Sequence, residues 1–148
     1  MLAQYIMRGS FQKSILRYLS VFGPTKADKV LAWRILSDRT RSIAYAIDHI
    51  RFAISQMPAL RETLGEWLTR VELVQLDEAH DHVLWEALAV IFGGGIHNID
   101  SGMSIVEKLK KDWINDYLRY LKTAGIDRAN KIPEPMQKLI SEDIGVSE

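Results

Sequence analysis

An all-α fold, an antiparallel helical bundle in a single domain over residues 1–148, is what this sequence predicts, on three observations. Strand signals are nearly absent: no β-branched alternating run is bounded by Asn-Gly or Asp-Gly turns. Glycine and proline, nine and four in 148 residues, fall at a few points and cut the chain into long segments. Within those segments apolar residues recur at spacings of three and four, the period of an amphipathic helix.

Ser10 is positioned to cap a first helix carrying Ile15, Leu16, Leu19 and Phe22, which stops before Gly23-Pro24. A second helix runs from about Lys26 to Met57, where Pro58 ends it. The third runs from about Leu60 to Phe92 and stops at Gly93-Gly94-Gly95. A fourth starts near Asp100 or Ser101, both good caps, and reaches about Thr123 before Gly125. A short tail helix begins at Pro133–Pro135 and extends to Ile144. The second and third helices each span roughly 32 residues, about 48 Å at 1.5 Å per residue. The short link at Pro58-Ala59 folds them into a central antiparallel hairpin.

Composition narrows the function classes. Hydrophobic residues make up 47% and charged residues 26%, a globular balance with enough apolar mass for one core. Lysine plus arginine equals aspartate plus glutamate, 19 each, so no net field draws the chain to nucleic acid or to an anionic membrane. Lys108, Lys110 and Lys111 read as a solvated helix face. With no cysteine, disulfides, thiolate metal sites and cysteine nucleophiles are excluded together, which fits a cytoplasmic protein. Arg8 follows a short apolar N-terminus that makes a poor signal peptide, and Val83 to Ile96 is too short to span a bilayer.

The polar residues inside the apolar stripes carry what chemistry there is. At 100° per residue, Leu60, Leu64, Trp67, Val71, Val74, Trp85, Ala89 and Phe92 share one direction on the third helix. Glu78 and His82 fall in the middle of that stripe and Asp81 at its margin. An unpaired buried carboxylate costs several kcal/mol or neutralises, so Glu78 needs a partner. One reading is structural. The second helix buries Ala32, Leu36, Ile43, Ile47, Ile50 and Ile54 with Arg39 among them. In a hairpin of equal rise, facing positions sum to about 117 or 118, which sets Arg39 against Glu78.

The other reading is a metal. Carboxylates and imidazoles pointing into a bundle hold di-iron or di-manganese centres. Glu78 and His82 at i, i+4 share a face, Asp81 is a further oxygen donor, and Asp48 with His49 on the second helix or Asp112 or Asp116 on the fourth would add the rest. Asp77-x-x-His80 has carboxylate-x-x-His spacing but points away from the stripe. His97 reads as a loop histidine, the three glycines as a helix stop, and Trp113, Tyr117 and Tyr120 as core. Nothing resembles a nucleophile elbow.

Asp38-Arg39-Thr40-Arg41-Ser42-Ile43-Ala44-Tyr45 on one long helix, then Leu76-Asp77-Glu78-Ala79-His80-Asp81-His82 and Trp85-Glu86-Ala87-Leu88 on the next, resemble the ferritin-like hydroxylase subunits of bacterial multicomponent di-iron monooxygenases. The likeness covers about residues 26 to 95, and Asp127-Arg128 after Ala124-Gly125 is similar to a helix exit in ferritin-like proteins. Members of that family with a working centre place His three residues after Glu, where this chain has Asp81 between His80 and His82. They also carry two copies of the motif and two further glutamates, against one partial copy here. The resemblance therefore implies a half-sized or degenerate member, or a metal-free paralogue acting as scaffold. In a living site, Glu78 and His82 would bind iron or manganese, Asp48 would add a carboxylate and dioxygen would be the oxidant. A homo-oligomer of hairpins, or other protein subunits, would complete it. The alternative is a non-catalytic helical scaffold or interaction protein. Whether the chain is an enzyme is left open by sequence.

Overall fold

The computed structural model describes residues 2–79 and 82–141; the side chains of Ala3, Glu78, Ala79 and Ser141 lie outside that description. The described residues form helices α1 (Leu2–Phe22), α2 (Lys26–Gln56), α3 (Leu60–Ala79), α4 (His82–Gly93), α5 (Ile99–Thr123) and α6 (Glu134–Ser141), with a 3₁₀ turn at Ile96–Asn98 and no strand among them. The all-helical class holds. The expected third helix is described as two segments, α3 and α4, on either side of residues 80 and 81.

Boundaries follow local chemistry. Thr25 caps α2 through a capping box, accepting from the Asp28 N–H while the Asp28 carboxylate accepts from the Thr25 N–H. Gly94 and Gly95 end α4 at φ of 77° and 143°, conformations that side chains resist. Two starts differ from expectation. α1 begins at Leu2, eight residues before Ser10, which is buried mid-helix and donates back to the Met7 carbonyl at 2.8 Å. The extra two turns bury Ile6 and Met7, and a Cβ at Gly9 would stand 3.0 Å from Ile43, so the glycine marks close packing on α2. α5 begins at Ile99 behind the 3₁₀ turn, one residue before the expected caps, with Asn98 as its uncapped N-cap. The tail helix is described to Ser141, and its expected end at Ile144 lies outside the described residues.

Packing makes α1 the centre. Its most extensive partners are α2 on one side and α5 on another, with α3 and α4 also against it. α2 and α3, consecutive in sequence, touch only sparsely. One core joins Ile6 and Met7 to Ile43, Ile47 and Ile50 of α2, Leu68 of α3 and Trp113, Ile114 and Tyr117 of α5. A second joins Tyr18 of α1 to Trp85, Leu88, Ala89 and Phe92 of α4 and Val106 and Leu109 of α5. Phe11 bridges the two, edge-on to Trp85 at 5.8 Å and to Trp113 at 4.8 Å between centroids.

The apolar stripe of the second helix is as expected, with Ala32, Ile43, Ile47, Ile50 and Ile54 buried and Leu36 half-buried. That of α3 is rotated by roughly a quarter-turn from expectation. Leu68, Glu72, Gln75 and Leu76 are buried, whereas Trp67 and Val74 are 56% and 58% exposed. The reason is the neighbour: α3 packs on α1, not along α2, so the flank that would face a close hairpin mate stays open. Among the described residues no helix is long and apolar enough to cross a membrane.

Candidate functional site

The strongest concentration of charge in the interior lies where the chain leaving α5 turns back over α3. Gly125, at φ 92°, ends α5, and the segment after it delivers Arg128 to the inner face of α3. Arg128 is 4% exposed and Glu72 fully buried. Their contact is bidentate: Arg128 Nε donates to Glu72 Oε1 at 2.8 Å and Nη2 to Oε2 at 2.6 Å. The Tyr117 hydroxyl donates to the same Oε1 at 2.7 Å. Arg128 spends its other donors on the Gly65 carbonyl at 2.9 Å, Thr69 Oγ1 at 3.0 Å and the Lys131 carbonyl at 3.2 Å. Burial first, then the Glu72 charge, pushes the Tyr117 phenol far above its usual range. Tyr117 is therefore a fixed donor at neutral pH. With its charges and donors engaged inside the fold, this cluster clamps the α5 exit onto α3.

A second polar seam ties α1 to α5. Arg17 donates to Asp112 at 2.6 Å and to Asp116 at 3.4 Å, the Tyr18 hydroxyl donates to Asp112 at 2.7 Å, and Arg119 donates to Asp116 at 2.7 Å. Desolvation and the Asp112 carboxylate raise the Tyr18 pKa. Asp112 and Asp116, which the sequence offered as extra metal ligands, are thus held by arginines between two helices. Lys110 is half-buried, pairs with Glu107 at 2.7 Å and lies over the Trp85 ring, so the lysine run is not one solvated face.

The candidate ligands are dispersed. His82 is exposed at the start of α4, on the rim of a cavity of about 190 Å³ shared with Trp85, Lys110 and Trp113. Asp48 is exposed and pairs with Arg51 at 3.2 Å. His49 is exposed, edge-on to the Tyr45 ring at 4.3 Å. Asp81, and the Glu78 side chain, lie outside the described residues, as does His80. Among the described residues no group of three or more His, Asp or Glu side chains is placed to hold a metal ion. Arg39 Nη1 donates to the Tyr5 hydroxyl of α1 at 3.3 Å, and its buried Nε has no partner among the described residues. The expected Glu78–Arg39 pair involves a side chain outside the described residues; the buried glutamate–arginine pair described is Glu72–Arg128.

No family model, curated protein or solved structure matches the chain.

The other feature is an open, apolar surface. Between α2 and α3 lies a groove of about 500 Å³, lined by Ile50 and Ala53 on one wall and Leu60, Leu64, Trp67 and Val71 on the other, with Leu2 alongside. Among the described residues that line it, the polar side chains are Gln4 and Thr63. Elsewhere on the same two helices and the turn after α2, large apolar residues stand in water: Trp33, Tyr45, Phe52 and Met57 on or beside α2, and Leu73 and Val74 on α3, each more than half exposed. Sequence reasoning missed Glu72, Arg128 and Tyr117 as a unit. The available signal was Glu72 and Gln75 sharing a face with Leu68 and Leu76, a second stripe beside the one chosen.

Proposed function

We propose that this chain is a non-catalytic helical interaction protein, a scaffold whose α2 and α3 receive a protein partner. The observation that carries the reading is the set of large apolar side chains left in solvent on those two helices, together with the apolar groove between them. Scattered exposed hydrophobics are ordinary, but aromatic and aliphatic groups gathered on adjacent helices mark a contact surface. The buried charges support it from the other side, since Glu72, Arg128 and Tyr117 are engaged with one another. The cysteine-free composition fits a cytoplasmic setting.

The competing proposal is the ferritin-like carboxylate and histidine site, binding iron or manganese in an oxygenase-related role. Its support is the spacing of Glu78, Asp81 and His82. Elemental analysis of protein purified without chelators separates the two. The interaction reading expects no stoichiometric iron or manganese. Metal present at one or two equivalents and lost in Glu78→Ala would replace it with the metalloprotein reading.

A further inference from the structure

Arg128 and Arg39 both carry a guanidinium into the fold, and only Arg128 meets a counter-charge there. Arg128 offers the fork formed by Nε and Nη2 to the two oxygens of Glu72, at 2.8 and 2.6 Å. Arg39, on α2, is half-buried. Its Nη1 donates to the Tyr5 hydroxyl at 3.3 Å, and its buried Nε has no partner among the described residues. Nη1 lies across the guanidinium from the Nε hydrogen, so the Nε–Nη2 edge, the one Arg128 uses, is left open. Asp38, the neighbouring acid in sequence, pairs with Arg41 at 3.5 Å instead. No ion pair among the described residues engages Arg39. A buried N–H on a charged group is costly to leave unmade, so this one calls for an acceptor that the described chain does not supply.

The surroundings say what kind. Arg39 lines an open cavity of about 300 Å³ between α1 and α2, with Gln4, Tyr5, Arg8, Gly9 and Gln12 of α1. The described lining brings two guanidinium groups, two amides and a phenol, all hydrogen-bond donors, and no carboxylate. The Tyr5 oxygen accepts from Arg39, which leaves the phenol hydrogen for a ligand. Arg8 has an interaction of its own and adds its charge at the rim. The close approach of the helices at Gly9, where a Cβ would stand 3.0 Å from Ile43, holds Arg39 beside this face of α1.

We infer that this cavity is an oxyanion site, and that it takes a phosphoryl group, as free phosphate or a small phosphate ester, on the open edge of Arg39. Two parallel N–H donors match two oxygens of one phosphate. A second guanidinium and an acid-free lining suit a dianion better than the single charge of a carboxylate. The volume lies at the small end of ligand sites, which suits a compact anion. The inference does not rest on the interaction-protein reading: the groove between α2 and α3 and the anion at Arg39 stand or fall separately.

Calorimetry and phosphorus NMR on the full chain, at constant ionic strength in chloride, test it with inorganic phosphate, glycerol phosphate and acetate. Saturable binding of a phosphate probe is expected, with acetate bound at least about tenfold more weakly. The tighter of the two phosphate probes tells free ion from ester. Arg39→Lys keeps the charge and loses the fork, and weakens binding by at least about tenfold. Gln12→Glu sets an acid in the cavity and weakens it as much. Gln12 is exposed, so circular dichroism and the thermal midpoint of that variant match the parent and show an intact fold. No saturable phosphate binding, acetate bound as tightly as phosphate, or affinity unchanged in both variants overturns the inference.

Discussion

Trp113 on α5 and Trp67 on α3 are the same side chain on amphipathic helices of one small protein, yet the first is wholly buried and the second 56% exposed. The difference lies in what surrounds each helix. α5 is met by α1, α4 and α6, so its apolar stripe is covered along most of its length. α3 is met chiefly by α1, and α2, its neighbour in sequence, stands on α1 as well. Two flanks that a close hairpin would have pressed together are left facing water. One half of the molecule has closed on itself, and the other leaves apolar flanks facing water.

The hinge between these halves is the Glu72–Arg128–Tyr117 cluster, and breaking it has the largest expected effect. Arg128→Met leaves the Glu72 carboxylate buried without its counter-charge and should destabilise by about 3–5 kcal/mol in urea titrations. Adding Glu72→Leu removes the stranded charge, so the double variant should be more stable than Arg128→Met alone, a coupling that a double-mutant cycle reads directly. If Arg128→Met behaves like a surface change, within about 0.5 kcal/mol, the clamp has no such role.

The two tryptophans sharpen the contrast. Trp113→Ala should cost about 3–5 kcal/mol, because a fully buried indole leaves a cavity that Phe11, Ile114 and their neighbours cannot refill. Trp67→Ala, measured on dilute monomer, should fall within about 0.5 kcal/mol of the parent. A large loss at Trp67 under those conditions would mean that α3 is covered within the single chain, and the open half would not exist.

Most of the element list was readable from sequence, because Pro58 and the three glycines act within a few residues of themselves. Which side of a helix is buried is not local information. α3 offers two overlapping apolar stripes, one through Leu64, Trp67, Val71 and Val74 and one through Leu68, Gln75 and Leu76, and periodicity alone ranks the heavier first. The fold covers the lighter one because α3 packs on α1, and Arg128, arriving from a non-helical segment 56 residues away, pairs with the Glu72 in it. No periodicity could announce that arrival. Ser10 misled in the opposite direction: it reads as the cap where a helix begins, and it is buried mid-helix next to Gly9, which packs closely against Ile43 of α2.

Alkaline titration probes the closed half through a smaller effect. The Tyr117 pKa is raised in the folded protein, by burial and then by the Glu72 charge, from an ordinary value of 10.0. Below about pH 10 the phenol is protonated in both folded and unfolded chains, and its contribution to stability is fully present. Above pH 10 the unfolded chain loses the proton while the folded one keeps it, so stability falls by about 1.4 kcal/mol per pH unit from this group. Tyr117→Phe removes the titrating group, and its stability should decline less between pH 10 and pH 11 by about 1 kcal/mol, because at pH 10 the unfolded phenol is already half ionised. At neutral pH the same variant loses one hydrogen bond to a charged acceptor, about 1.5–3 kcal/mol. Equal slopes for the two proteins would mean that the phenol ionises as easily inside as out, and that the interior around Glu72 is open to water.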